Sequence, residues 1–141
     1  MLDVDKIMKQ LCCAVAVLST LLCIACNREE APELGTLEFE RVTGDSIICR
    51  ISVTEGIPED CGFYYSTTEN AVKSRRADKI QGVYQSSEIR GAIGALQPVT
   101  TYYIAAYAMN NRGRVYSETL SVTTLTRIPA ANDNNYPNMG R

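Results

Sequence analysis

Residues Leu96 to Asn110, reading LQPVTTYYIAAYAMN, constrain the fold of this chain more than any other stretch. After the turn residue Pro98 the sequence alternates strictly, with Tyr102, Ile104, Ala106 and Ala108 on one side and Tyr103, Ala105, Tyr107 and Met109 on the other. A period of two is the signature of a strand whose successive side chains face opposite sides of a sheet. The set beginning with Tyr102 is expected to face the core. Pro98 marks a corner at the entry, and Asn110-Asn111-Arg112-Gly113 marks a hairpin at the exit, with Gly113 expected to supply a positive φ.

The same alternation recurs on either side of this stretch. Leu37 and Phe39 oppose Glu38 and Glu40 within a strand from Leu34 to Val42, and Gly44-Asp45 turns the chain. Ile47, Cys49, Ile51 and Val53 then read as the inward set of a second strand, and Cys61, Phe63 and Tyr65 as that of a third. Thr67 to Asp78 is polar and reads as a solvated loop, followed by a short strand from Ile80 to Tyr84. Gly91 and Gly94 oppose a helix around Ile89 and Ile93, so a strand leading into the corner is expected there. Val115 to Leu125 closes the series, with Leu120 and Val122 inward. Seven short strands separated by turn signals predict an all-β sandwich over residues 34–126.

At 141 residues the chain has room for one such domain. A net charge of −2 does not favour nucleic acid as a partner. The absence of His removes imidazole chemistry and His metal ligation. The carboxylate pairs Glu29-Glu30 and Glu59-Asp60 are neighbours in sequence on a tether and a loop, not convergent acids. With no nucleophile–base spacing and no phosphate loop either, neither an enzyme nor a cofactor nor a metal is expected.

Lys6 and Lys9 precede an apolar run from Leu11 to Ala25, too short to span a bilayer comfortably and suited to a secretory signal over residues 1–25. Met8 offers a cleaner signal start than the acidic Met1-Leu2-Asp3-Val4-Asp5. The run ends in Cys23-Ile24-Ala25-Cys26, which resembles the bacterial lipobox, with Cys23 where Leu is usual. The resemblance implies a lipid on the Cys26 thiol, holding the chain to a membrane. Residues 26–33 then read as the lipidated Cys and an acidic tether, similar to export signals of Bacteroidetes surface lipoproteins. Residues 127–141, rich in Asn, Pro and Gly, read as a disordered tail.

The domain resembles fibronectin type III modules of the immunoglobulin-like class. The resemblance is carried by Gly62-Phe63-Tyr64-Tyr65-Ser66-Thr67 and by Ile89 through Thr124, and is nearest to the secreted Bacteroidetes form. It implies that Leu96, Pro98, Thr100 and Tyr102 form a tyrosine corner, in which the Tyr102 hydroxyl returns to upstream backbone. The second strand lacks the Trp of animal members, and Arg112-Gly113-Arg114 lacks the Asp of an adhesive Arg-Gly-Asp hairpin.

Strand parity places Tyr64, Tyr103 and Tyr107 together on the outer face of one sheet, as a platform for a sugar or a protein or as cross-strand pairs that stabilise the sheet. Cys49 and Cys61 both point inward; a disulfide and two buried thiols are the alternatives, and their unequal depth favours thiols. Asp45-Ser46-Ile47 resembles a Bacteroidetes O-glycosylation acceptor at Ser46, which is equally a strand-start residue. These features point to an outer-membrane, surface-exposed lipoprotein whose domain is a protein-binding or structural module. A glycan-binding accessory of a saccharide-uptake system and a subunit of an envelope or pilus assembly are the alternatives.

Overall fold

The computed structural model describes residues 29–128. Cys26, the expected signal segment before it and the part of the expected tail beyond Ile128 lie outside the described residues.

Among the described residues nine strand segments form two facing antiparallel sheets, accompanied by one short helix. The first sheet contains β1 (Glu33–Val42), β2 (Ile47–Glu55), β6 (Glu88–Ile93) and β5 (Val83–Gln85), in the order β1-β2-β6-β5. The second contains β4 (Asp78–Gln81), β3 (Asp60–Ser66), β7 (Thr101–Asn110) and β8 (Gly113–Tyr116), in that order, with β9 (Leu120–Thr123) also paired to β7. The nine segments correspond to the seven expected strands, two of them interrupted. The strand expected from Ile80 to Tyr84 is divided at Gly82: β4 pairs with β3 in one sheet and β5 with β6 in the other. The closing strand breaks at Ser117, whose N–H donates to the Ala106 carbonyl at 2.9 Å while its hydroxyl accepts from the Ala106 N–H at 2.8 Å. One hydroxyl thus does part of the work of a ladder partner and lets β8 and β9 pair separately with β7.

The inward sets assemble the core. Ile47, Cys49 and Ile51 of β2 face Phe63 of β3 and Ile104, Ala106 and Ala108 of β7, with Ile89 and Ile93 of β6 beside them, all fully buried. Burying an aliphatic or aromatic side chain contributes about 1.5 to 3 kcal/mol, so this set supplies much of the driving force for closing the sheets. Leu120 and Val122 pack against the same core, half-buried.

The corner forms as expected. The Gln97 N–H donates to the Tyr102 hydroxyl at 2.9 Å. Thr124, 2 % exposed, joins the corner to the chain end: its hydroxyl donates to the Gln97 carbonyl at 2.6 Å and accepts from the Thr100 N–H at 3.0 Å. The turn after Pro98 places Val99 at φ 51°, a conformation costly for a β-branched residue.

Two expectations need correction, and the choice left open at the two cysteines is decided. The hairpin after β7 uses no positive φ at Gly113; the Asn110 side-chain oxygen holds it, accepting from the N–H groups of Arg112 at 2.9 Å and Gly113 at 3.3 Å. Within the polar stretch Thr67 to Asp78 lies α1 (Glu69–Lys73), a single turn too short to produce a helical period, with Val72 fully buried. Cys49 and Cys61, where thiols are favoured over a bridge, are both free and buried, and Cys61 Sγ points to the Gly82 carbonyl at 3.8 Å.

Candidate binding face

The two outer faces of the sandwich differ in charge. On the first sheet Arg50 donates to Glu38 at 2.6 Å and Arg90 pairs with Glu40, so each of these cations lies beside a carboxylate. On the second sheet the side chains of Tyr64, Tyr103, Ala105, Tyr107, Arg114 and Tyr116 share the outer surface through the pairings Tyr64↔Ala105, Tyr107↔Tyr116 and Met109↔Arg114.

Three rings form the centre of this surface. Tyr64 lies 5.2 Å from Tyr107 and 6.3 Å from Tyr116, tilted by 56° and 52°, the separations and angles of favourable aromatic pairs. Ala105, directly opposite Tyr64, is fully buried although it faces outward, so side chains on this face cover it. Helix α1 contacts both β3 and β7, and its Val72 is buried apart from the main core. Val72, Ala105 and Tyr107 therefore belong to a small second core on the outside of the sheet.

Tyr107 is 2 % exposed, so it is a buried strut and not part of an open platform. Its hydroxyl donates to Asp60 Oδ1 at 3.1 Å, and Gln81 Nε2 donates to the same oxygen at 2.8 Å. The Gln81 bond is the leading cause that holds the Asp60 carboxyl below its usual range, with Tyr107 and Lys79 acting in the same direction against partial burial. Burial first, and the Asp60 charge second, push the Tyr107 phenol upward. Gly62 makes the arrangement sterically feasible: a Cβ there would lie 2.1 Å from the Ile80 carbonyl oxygen and 3.0 Å from the Tyr107 ring.

Tyr103 stands apart from the cluster, half-buried between Ser66 and Ser121 on the neighbouring strands. The third ring is Tyr116, a residue not singled out in the sequence. Its place was nevertheless encoded: a hairpin closing Asn110 on Gly113 sets Tyr107 opposite Tyr116.

Cations surround these rings. The Arg75 guanidinium lies 3.6 Å from the Tyr116 ring centroid, and Lys79 Nζ lies 5.3 Å from that of Tyr107. The neighbouring Tyr116 leads the influences that raise the Arg114 pKa, and the Arg114 guanidinium donates to Met109 Sδ at 2.9 Å. Among the described residues Arg75, Lys79 and Arg114 form no salt bridge; the three that exist involve Arg50, Lys73 and Arg90.

Two other candidates have local roles. The Ser46 hydroxyl lies 2.7 Å from that of Thr43, and the Ser46 N–H donates to Thr43 Oγ1 at 2.9 Å, so Ser46 helps hold the β1–β2 turn. Burial pushes the Cys49 thiol up to about 12 and raises Cys61 as well, leaving both protonated and unreactive at neutral pH.

The end of the expected tether rests on the domain. Asn110 Nδ2 donates to the Glu30 carbonyl at 2.7 Å and Asn111 Nδ2 to Glu29 Oε2 at 2.8 Å, while Pro32 is buried. Gly56, at φ 69°, permits this approach, since a Cβ there would lie 2.6 Å from the Glu30 carbonyl oxygen.

No protein-family profile matches the chain, and no curated protein matches it significantly. Among solved structures, the sensor domain of the anti-sigma factor RsgI4 in Pseudobacteroides cellulosolvens is similar in two forms. A short form has TM-score 0.48 and 18% identity, covering 70% of this chain and 98% of that one. A solution structure has TM-score 0.49 and 16% identity, covering 78% and 91%. The FN1-FN3 domains of chicken CNTN1 match at TM-score 0.50 and 22% identity over 68% of this chain. The chain spans only 33% of that three-domain fragment. The likeness to CNTN1 is one of fold, and with the sheet order and the corner it makes the described domain an immunoglobulin-like, fibronectin type III-like β-sandwich.

Proposed function

We propose that this chain is a lipid-anchored outer-membrane protein of the bacterial cell surface, and that its sandwich is a non-enzymatic module binding a partner through the outer face of the second sheet. The observation that carries the binding reading is the set of cations around the Tyr64–Tyr107–Tyr116 cluster, none of them in a salt bridge among the described residues. The lipobox-like Cys23-Ile24-Ala25-Cys26 supports the address. Acyl chains on Cys26 would supply about 0.8 kcal/mol of membrane affinity per buried methylene. With Glu29 and Glu30 held at the β7–β8 hairpin, that hairpin would lie toward the membrane and the sheet faces would stay free.

Growing cells with an alkyne-bearing fatty acid tests the anchor. The wild-type chain is expected to take up label and sediment with membranes, and Cys26→Ala to do neither. An unlabelled wild type, or Cys26→Ala that stays with the membrane, contradicts the reading.

One observation favours a second reading, a subunit of an envelope assembly. The outer edge of β1 lies beside the break between β8 and β9, in a groove lined by Leu34, Gly35, Leu37, Ser117 and Leu120. Open strand edges accept strands of partners. If this edge joins subunits, Leu34→Lys reduces recovery of the protein in large envelope complexes; unchanged recovery rules the edge out.

A further inference from the structure

We infer that the outer face of the second sheet receives an anionic polysaccharide, whose acidic groups meet Arg75, Lys79 and Arg114. This rests on the binding-module reading above and names the class of ligand.

The first ground is an excess of cations that form no salt bridge among the described residues. Arg75 and Lys79 lie over tyrosine rings, and Arg114 is held by Met109 Sδ. A cation–π contact fixes the position of a cation while leaving its charge available to a ligand. Of the carboxylates on these strands, Asp78 pairs opposite the inward Tyr65, and Asp60 bonds Gln81 and Tyr107 and stays charged, within electrostatic reach of Lys79 and Arg114 but in a salt bridge with neither. On the opposite face Arg50 and Arg90 are each paired with a carboxylate, and Arg41 of β1, which is not, stands alone among the cations of that sheet.

The second ground is backbone strain at Arg75. Helix α1 ends with the Arg75 N–H on the Val72 carbonyl at 3.1 Å and the Arg76 N–H on the Ala71 carbonyl at 3.0 Å. In that arrangement the residue at Arg75 takes a left-handed conformation and is usually Gly. Here it is Arg at φ 60°, its guanidinium on Tyr116 and its Nη1 donating to the Val72 carbonyl at 2.9 Å. Left-handed backbone is strained for a non-Gly residue, and such strain gathers where a side chain must be presented in one place.

The third ground selects a polysaccharide over a protein. Protein interfaces carry an apolar core. Among the described residues the large exposed apolar side chains, Ile57, Val83, Val99, Leu125 and Ile128, lie on loops, on the edge of the first sheet and after β9, none of them on this face. Lys79 on β4 and Arg114 on β8 are separated by β3 and β7, about 14 Å at the usual strand spacing, a span suited to an extended polymer.

The test uses the full mature chain in detergent, with polygalacturonate and dextran sulfate as anionic polymers and methyl-esterified polygalacturonate and dextran as neutral counterparts. Binding to at least one anionic polymer is expected, weakening as salt rises above about 0.15 M. Joint replacement Arg75→Gln, Lys79→Gln and Arg114→Gln is expected to weaken it about tenfold, from three exposed charge contacts. Arg50→Gln with Arg90→Gln on the opposite face leaves it unchanged. If the triple variant fails to fold by circular dichroism, Lys79→Glu alone must weaken binding and Lys79→Arg must preserve it. Equal binding of neutral polymers, tighter binding of a single-stranded oligonucleotide, insensitivity to the charge variants, or no binding of either anionic polymer overturns the inference. Neutral-polymer binding that is lost in Tyr64→Ser would overturn the charge assignment while sparing the binding module, and lipid labelling at Cys26 judges the anchor separately.

Discussion

Tyr102 and Tyr107 sit on opposite faces of one strand, and both are buried. For Tyr102 the reason was legible in the sequence: inward parity and the corner spacing implied a hydroxyl returning to backbone, and Gln97 supplies that partner. For Tyr107 parity named the face correctly but not its cover, because α1 and the turn from β8 come from elsewhere in the chain. Tyr102→Phe leaves the Gln97 N–H without its acceptor, and urea denaturation is expected to show a loss of about 1 kcal/mol; an unchanged midpoint would mean the corner is held by Thr124 alone. Asp60 makes a pH prediction. Its folded pKa is lowered, so its contribution is present above the unfolded value of about 3.9 and is lost as pH falls through the folded value. Between pH 6 and pH 3 the wild type should lose more stability than Asp60→Asn; parallel curves would show that the Gln81 and Tyr107 bonds do not favour the charged form.

Among the elements, strands with a clean period of two were readable because one face of each meets the core. The interruptions were not, since Gly82 and Ser117 act through sheet exchange and a side chain bonding a neighbouring strand, neither of which alters hydrophobic period. Helix α1 escaped for a related reason: one turn with a single buried side chain carries no periodic signal. The β5–β6 turn shows what local chemistry leaves unoptimised. Ser86 and Ser87 have φ of 52° and 61° between the paired residues Gln85 and Glu88, a two-residue hairpin in which Asn-Gly is preferred. Ser86→Asn with Ser87→Gly is expected to raise stability by about 1 kcal/mol, read as a higher urea midpoint with unchanged slope. A lower midpoint would mean that the serine side chains contribute bonds the turn needs.

On the scale of the whole molecule, two sheets are held by apolar packing and by crossings at the corner and at Gly82, without a covalent bridge. Reducing agent should therefore leave the thermal midpoint of the oxidised protein unchanged, and Cys49 and Cys61 should resist alkylation at pH 8 until the protein is denatured; a drop of several degrees on reduction would reveal a disulfide. The sandwich presents one face of compensated ion pairs and another of tyrosine-borne cations, and the account assigns the partner to the second. Photo-crosslinking in intact cells tests that assignment most directly, with a photoreactive residue at Tyr103 on the second sheet or at Ala92 on the first. Adducts from position 103 and none from position 92 are predicted; adducts from position 92 alone, or equal yields from both, would contradict it.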